Sequence, residues 1–184
     1  MKKKDKRVAR LIDEVGELEY YIETNVFKFL CESIIGQQIS NYAQERISER
    51  FSNLVGKITP ENVLKFDVNE IRSCGVSFKK AEWILSAAKK FLSSDFTRQK
   101  LLKMSDEEFI AQMTKLDGVG CWTAQMLLIS SLGRRDVLSF GDLGIRRGVA
   151  KILGVESVSK GEFEKFKKKF SPHNTVLSLY LWQS

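Results

Sequence analysis

Apolar residues recur at intervals of three and four along most of the chain, which is the spacing of helices that bury one face. The run FKKAEWILSAAKKF at residues 78–91 shows this pattern. In and beside this run, the side chains expected to face inward are Phe78, Ala81, Ile84, Leu85, Ala88 and Leu92. Further helix starts are predicted at capping pairs and at a proline: Asn41 with Gln44, Ser105 with Glu108, and Ser171–Pro172. The pattern predicts an all-α fold of roughly nine or ten short helices, without internal repeats.

The sequence LDGVG at residues 116–120 interrupts this pattern between a polar helical run and a strongly apolar one. Glycine at positions 118 and 120 permits a positive φ and a close approach of the backbone to a partner. The N–H groups that begin the next helix, together with its dipole, would then suit a phosphate group. Because glycines also occur in ordinary turns between helices, the turn alone leaves both interpretations open.

The charge balance favours an anionic partner. The formal net charge is +7 and the isoelectric point is about 9.3, so the surface attracts phosphate, and such binding would depend on salt. No stretch of about 18 apolar residues is present, and MKKKDKR at the N-terminus is not followed by a signal-peptide segment. We therefore expect a cytoplasmic protein associated with the nucleoid and no membrane partner.

Cysteine and histidine are too sparse for the usual metal sites. The three cysteines are far apart and the single histidine is His173, so neither a zinc nor an iron–sulfur site is encoded. We expect no transition metal and no cofactor. All three cysteines, Cys31, Cys74 and Cys121, are expected in the core because their neighbours are apolar.

Five blocks of sequence resemble, in order and spacing, the helix-hairpin-helix (HhH-GPD) DNA glycosylase superfamily. LDGVGCWTA at 116–124 is similar to the hairpin of that family, and DVLSFGDLGIRRG at 136–148 to its aspartate segment. The other blocks are IIGQQIS at 34–40, CGVSFKKAEWI at 74–84 and SPHNTVLSLYLW at 171–182. The branch that the chain resembles best is the 3-methyladenine DNA glycosylase II type.

The resemblance implies two helical lobes with a cleft between them. Residues 26–134 would form the lobe that carries the wedge loop and the hairpin. Residues 1–25 and 135–184 would form the second lobe. The implied partner is double-stranded DNA that contains damaged bases, and the implied state is a monomer. The hairpin residues implied to bind phosphate are Leu116, Gly118, Val119, Gly120 and Thr123. A monovalent cation bound by this hairpin is left open.

The resemblance assigns catalysis to Asp142. A carboxylate near the sugar would stabilise the oxocarbenium-like cation that forms when a base departs, and it would orient or deprotonate the attacking water. An aspartate that opens a helix is often only an N-cap, and Asp142 directly precedes LGIRRGVAKILG. Relatives that cleave the strand carry a lysine where this chain has Trp122. The resemblance therefore implies a monofunctional glycosylase without AP-lyase activity.

The base must leave the stack to be reached, so the site needs a wedge and a pocket. Gln38 is the first candidate for the wedge and Gln37 the second, although both also suit a polar helix break. The implied base pocket comprises Trp122, Trp182 and Met126. Indole faces suit a cationic base. The third tryptophan, Trp83, is assigned to the core. His173–Asn174 replaces the family's usual aromatic–arginine pair, which shortens a side chain that would order the site or reach toward Asp142.

Three functions remain open from the sequence. The first is excision of alkylated purines in base excision repair, by base flipping and Asp-assisted hydrolysis of the N-glycosidic bond. The second is a glycosylase for other damaged purines, such as hypoxanthine, ethenoadenine or oxidised guanine. The third is a non-catalytic module that binds lesions. The presence of Asp142 and of the aromatic residues favours an enzyme.

Overall fold

The computed structural model describes all residues from Met1 to Ser184 and is helical throughout, as predicted. Two short 3-10 helices, Lys2–Lys4 and Ser94–Phe96, accompany twelve α-helices. These are α1 (Lys6–Val15), α2 (Val26–Gly36), α3 (Asn41–Val55), α4 (Pro60–Val63), α5 (Val68–Ser73), α6 (Phe78–Phe91), α7 (Arg98–Lys103), α8 (Asp106–Met113), α9 (Cys121–Ser130), α10 (Leu143–Leu153), α11 (Lys160–Phe170) and α12 (Asn174–Leu181). No helix is both long enough and apolar enough to cross a membrane.

Two helices, α1 and α7, were not predicted. Helix α1 buries only Val8 and Leu11, and α7 buries only Leu101. The apolar residues Val8, Leu11, Ile12 and Val15 of α1 do have helical spacing, whereas α7, at six residues, is too short to show a period. Their helical state depends on tertiary packing more than on local sequence.

The helix starts agree with the capping prediction in part. The box of Ser105 and Glu108 is present at α8. The predicted Asn41–Gln44 box is wrong, because Ser40 caps α3 by accepting from the Ala43 N–H. The Gln44 side chain instead donates to the Glu32 carbonyl of α2 at 3.1 Å. The last helix begins later than predicted, with His173 at its N-cap position.

The chain divides into two compact units. Residues Met1–Ile22 and Gly133–Ser184 form the first unit, and residues Glu23–Leu132 form the second. The first unit packs α1 and α10–α12 around a core whose largest side chains are Phe163, Phe166 and Phe170. It contains Asp142 at the start of α10.

The second unit is built around the apolar helix α2, which packs against α3, α6 and α9. Helix α6 buries Ala81 and Ile84, as predicted. Phe78 and Leu92 were expected inside but are 49% and 53% exposed. Both lie at the ends of α6, where the chain turns away from the core. The ring of Phe78 is covered instead by the Arg72 guanidinium, 5.5 Å from its centroid.

The cysteines do not all lie in the core. Cys31 and Cys74 are buried, but Cys121 is exposed at the first position of α9, so that prediction is wrong for Cys121. The first turn of α9 follows the LDGVG turn directly, and its first side chain lies at the surface. No group of three or more His, Cys, Asp or Glu side chains is placed to hold a metal ion.

Candidate active site

The LDGVG turn is a tight hairpin between α8 and α9. Leu116 and Val119 are buried and anchor it, and the Val119 N–H donates to the Leu116 carbonyl at 3.2 Å. Gly118 has a φ of +74°. A Cβ at this position would lie 2.2 Å from the Trp83 ring, so the backbone approaches the indole more closely than any side chain would allow. Trp83 therefore shapes the hairpin.

Gly120 has a different role in the same hairpin. It is the N-cap residue of α9, its φ of −92° is ordinary, and a Cβ there would meet nothing within 4 Å. No side chain caps this helix terminus. Thr123, in the first turn of α9, is buried. The open backbone at Gly120 and the dipole of α9 together favour an anion such as a phosphate.

The two candidate wedge residues differ in their contacts. The wedge loop, Gln37–Ser40, follows α2 directly. The side chain of Gln37 is held, because its Nε2 donates to the Gly118 carbonyl at 2.9 Å. Gln38 is exposed and is the sole non-glycine residue with positive φ, at +58°. Such a conformation costs on the order of 1–3 kcal/mol and is kept only where the surroundings fix it. The geometry favours Gln38 as the wedge.

A cavity of about 680 Å³ lies in the second unit, beside the wedge loop and the hairpin. Two of the predicted base-pocket residues, Trp122 and Met126, line it. Trp122 is 44% exposed, whereas Met126 is buried one turn further along α9. Helix α2 contributes Phe29 and Ser33 to the wall. The second unit thus brings the wedge candidates, the hairpin and two pocket residues around one cavity.

Asp142 and Trp182 are in direct contact within the first unit. Asp142 is 8% exposed and is the N-cap of α10, where its Oδ1 accepts from the Ile145 N–H at 2.9 Å. The same Oδ1 accepts from the Trp182 indole N–H at 3.2 Å. Gly144 leaves room for this contact, since a Cβ there would lie 3.2 Å from the indole. The capping interpretation of Asp142 is correct, and it is compatible with a catalytic role.

The indole N–H of Trp182 is predicted to position the Asp142 carboxylate. Replacement of Trp182 with Phe keeps a ring but removes a hydrogen bond to a charged group, which contributes about 1.5 kcal/mol. On the catalytic role that the resemblance implies for Asp142, we expect base release to slow about 5- to 10-fold in single-turnover assays. Trp182→Leu, which removes the ring as well, is the comparison. If Trp182→Phe releases base as fast as the parent and only Trp182→Leu is slow, the aromatic ring matters and the indole N–H does not.

Asn174 does not contact Asp142 as a longer side chain was expected to do. It is fully buried, and its Nδ2 donates to Asp136 Oδ1 at 2.5 Å. Ser171 also donates to Asp136, at 2.6 Å, and the Thr175 hydroxyl donates to the Arg134 carbonyl at 2.6 Å. These bonds fix the segment that leads from residue 134 toward Asp142. The Asn174 side chain therefore helps to hold the segment that leads to Asp142.

Asp136 is predicted to make the stability of the protein depend on pH. Burial raises the pKa of Asp136, but hydrogen bonds from Ser171 and Asn174 outweigh burial and hold it below its usual value of 3.8. Because the folded pKa is depressed, the stabilisation is present above pH 3.8 and is lost as the pH falls through the folded pKa. We expect Asp136→Asn to lower the unfolding free energy at pH 7 by about 1 kcal/mol, since solvent screens part of the interaction.

Urea denaturation at pH 7 and near pH 3 measures this difference. The difference in unfolding free energy between the parent and Asp136→Asn should be smaller at the lower pH. Asp13→Asn is a matched control, because Asp13 pairs with Lys2 at the surface, where both side chains are more than half exposed. That variant should match the parent within about 0.5 kcal/mol at either pH. If the difference in unfolding free energy between the parent and Asp136→Asn is the same at both pH values, the prediction is contradicted.

Sequence reasoning missed two sets of contacts near the candidate site: those of Asp136, and the hydrogen bond from Lys80 Nζ to the Gln37 carbonyl at 2.6 Å. Lys80 lies in the CGVSFKKAEWI block and Asp136 opens the aspartate segment, so both fall in blocks that were recognised. Their partners lie more than thirty residues away along the chain. No local pattern identifies such partners.

Comparison with known proteins gives one family and several similar structures. Residues 31–172 match the family described as HhH-GPD superfamily base excision DNA repair protein. DNA-3-methyladenine glycosylase 1 of Schizosaccharomyces pombe is 29% identical over 97% of this chain and 81% of its own. The solved structure of Schizosaccharomyces pombe 3-methyladenine DNA glycosylase in complex with abasic DNA aligns with a TM-score of 0.86 over 97% of this chain and 91% of the other. The structure of DNA-3-methyladenine glycosidase from Bacillus halodurans is 32% identical in sequence and has a TM-score of 0.87. The match covers 99% of this chain and 85% of the other.

Proposed function

The chain belongs to the HhH-GPD superfamily of base excision DNA repair proteins, and we propose that it is a monofunctional glycosylase that releases alkylated purines from double-stranded DNA. The observation that carries the proposal is Asp142, a buried carboxylate held by the Trp182 indole in a chain that contains the DNA-binding hairpin. Similar proteins from Schizosaccharomyces pombe and Bacillus halodurans bear the name of 3-methyladenine glycosylases, which supports this substrate class.

The chemistry follows from the damage. N-alkylation places a positive charge on the purine, so the base departs with little need for protonation. The sugar then becomes oxocarbenium-like, and the Asp142 carboxylate stabilises that cation electrostatically. Asp142 also orients the water that attacks the sugar, or removes its proton. The Ile145 N–H and the Trp182 indole hold the carboxylate in place for both roles.

Flipping and recognition of the base fall to the other residues. Gln38 enters the gap left by the base, which costs a few kcal/mol to create. Trp122 and Met126, which line the cavity of the second unit, are assigned to recognition of the flipped base. Trp182 is assigned to the same task, since indole faces attract the positive charge of the base. Because Trp122 stands where strand-cleaving relatives have lysine, no amine is available there for a Schiff base with the sugar. We therefore assign no AP-lyase activity to the chain.

Phosphate binding falls to the hairpin. Leu116 and Val119 anchor the turn, Gly118 and Gly120 open its backbone, and Thr123 packs the first turn of α9. The carbonyls of Leu116 and Gly118 each accept a hydrogen bond within the protein, and no step is assigned to a monovalent cation at the hairpin. The protein would act as a monomer on nucleoid DNA in the cytoplasm.

Release of free base tests the proposal. DNA methylated at purine nitrogens is incubated with the protein, and released bases are separated and identified by mass. We expect 3-methyladenine, with no strand cleavage and no covalent complex after borohydride treatment. A borohydride-trapped complex would contradict the monofunctional assignment. Duplexes that carry hypoxanthine, ethenoadenine or oxidised guanine are assayed in parallel, and release of one of these bases without release of 3-methyladenine would contradict the substrate class. Binding to an abasic duplex without release of any base would indicate a lesion-binding module.

A further inference from the structure

Lys80 caps the C-terminal end of α2. Its Nζ donates to the Ile35 carbonyl at 2.9 Å and to the Gln37 carbonyl at 2.6 Å. The ammonium group thus meets carbonyls that a helix terminus leaves without partners, at the negative end of the helix dipole. Burial lowers the pKa of Lys80, which agrees with a side chain that lies against the protein.

Lys80 acts on the residue directly before the proposed wedge. The Gln37 carbonyl belongs to the peptide that leads into Gln38, whose φ is +58°. A left-handed conformation at a non-glycine residue persists only where the neighbouring structure determines it. Lys80 fixes the Gln37 backbone on one side, and the Gln37 side chain is fixed by the Gly118 carbonyl on the other. Gln38 is thereby presented in one conformation.

Gln44 fixes the same helix end from a third direction. Its amide donates to the Glu32 carbonyl at 3.1 Å and covers Gly36, where a Cβ would lie 2.4 Å from the Gln44 Oε1. The end of α2 is therefore held from α3 and α6, and the wedge loop is held from α6 and the hairpin. Of these contacts, only that of Lys80 places a full positive charge on the loop carbonyls.

We propose that Lys80 is a positioning residue for base flipping, which holds the wedge loop so that Gln38 enters the duplex; this inference rests on the proposed function. Because Gln37 joins this loop to the hairpin, the hairpin and the wedge move as one piece. Binding of a phosphate at the hairpin then places Gln38 at a fixed offset along the duplex. Loss of Lys80 leaves phosphate binding intact and loosens the wedge.

The test separates flipping from binding. Lys80→Met removes the ammonium group and keeps the apolar stem, whereas Lys80→Arg restores a cation with several donors. Lys4→Met is the matched control, because the Lys4 Nζ also donates to two carbonyls, Lys169 at 2.9 Å and Ser171 at 3.1 Å, at the end of α11 in the first unit. Both methionine variants lose one positive charge and the same kind of helix cap. Thermal unfolding of each variant measures how much stability the substitution removes.

Flipping is measured without chemistry on a duplex that holds a stable abasic analogue, with 2-aminopurine beside it as a fluorescent reporter of unstacking. We expect Lys80→Met to keep DNA affinity within about 3-fold of Lys4→Met and to lose most of the fluorescence increase. Its single-turnover base release at saturating protein should fall about 10-fold, as expected when charge-assisted hydrogen bonds are lost. Lys80→Arg should recover most of both signals.

Equal fluorescence and equal rates for Lys80→Met and Lys4→Met would overturn the proposal, as would a loss of affinity that accounts for the whole change in rate. If Lys80→Met does not fold, Lys80→Gln, which is shorter and uncharged, is measured in its place, and an unchanged fluorescence increase there would equally overturn the proposal. The fluorescence signal does not depend on base release. A parent protein that unstacks the reporter but releases no base would contradict the proposed function and not the role of Lys80.

Discussion

Asp142→Asn is expected to reduce base release at least about 100-fold while DNA binding and stability stay close to those of the parent. Asparagine caps helices as well as aspartate does. Its Oδ1 is able to accept from the same two donors, the Ile145 N–H and the Trp182 indole, so the geometry around α10 is kept. What the substitution removes is the negative charge. A large loss of rate then reports electrostatic stabilisation of the sugar cation.

Asp142→Ala provides the contrast. It removes the charge and also the helix cap, which should lower the unfolding free energy by about 1 kcal/mol. Single-turnover release of 3-methyladenine, affinity for an abasic duplex and urea unfolding are measured for parent and both variants. If Asp142→Asn loses DNA binding in proportion to its rate, or retains more than about a tenth of the parental rate, Asp142 is a cap and not the catalytic carboxylate.

The parts of the fold that were predictable are those that depend on neighbouring residues. The capping box of Ser105 and Glu108 and the buried positions Ala81 and Ile84 follow from spacing alone, and the structure confirms them. The glycines of the hairpin were recognised by their motif. Phe78 has the correct spacing for the core but lies at a helix end, where periodicity no longer determines burial.

The contacts that organise the candidate site were not predictable, because they join distant parts of the chain. The Trp182–Asp142 hydrogen bond spans 40 positions and the Lys80–Gln37 bond spans 43. Trp182 was expected only to contribute an aromatic ring to the base pocket. That its N–H donates to Asp142 is seen only in the structure. Trp83 was assigned to the core, yet it is partly buried against the hairpin backbone.

The two hairpin glycines differ in why they are glycine, and this difference gives the second large prediction. Gly118 faces the Trp83 ring in a left-handed conformation, whereas Gly120 faces open space with an ordinary φ. The left-handed conformation costs a non-glycine residue about 1–2 kcal/mol. Overlap with the indole adds about 1–3 kcal/mol, since the ring must shift. We expect Gly118→Ala to lower the unfolding free energy by about 2–5 kcal/mol.

Gly118→Ala should also weaken binding to an abasic duplex at least about 10-fold, because its carbonyl anchors Gln37 and its backbone sets the direction of α9. Gly120→Ala is the matched control: its stability should stay within about 1 kcal/mol of the parent, while its affinity falls because a methyl group enters the space proposed for the phosphate. Trp83→Leu combined with Gly118→Ala should recover part of the lost stability, since the overlap is relieved but the strain in φ remains. Equal loss of stability for the two alanine variants would show that the contact with Trp83 does not determine the hairpin.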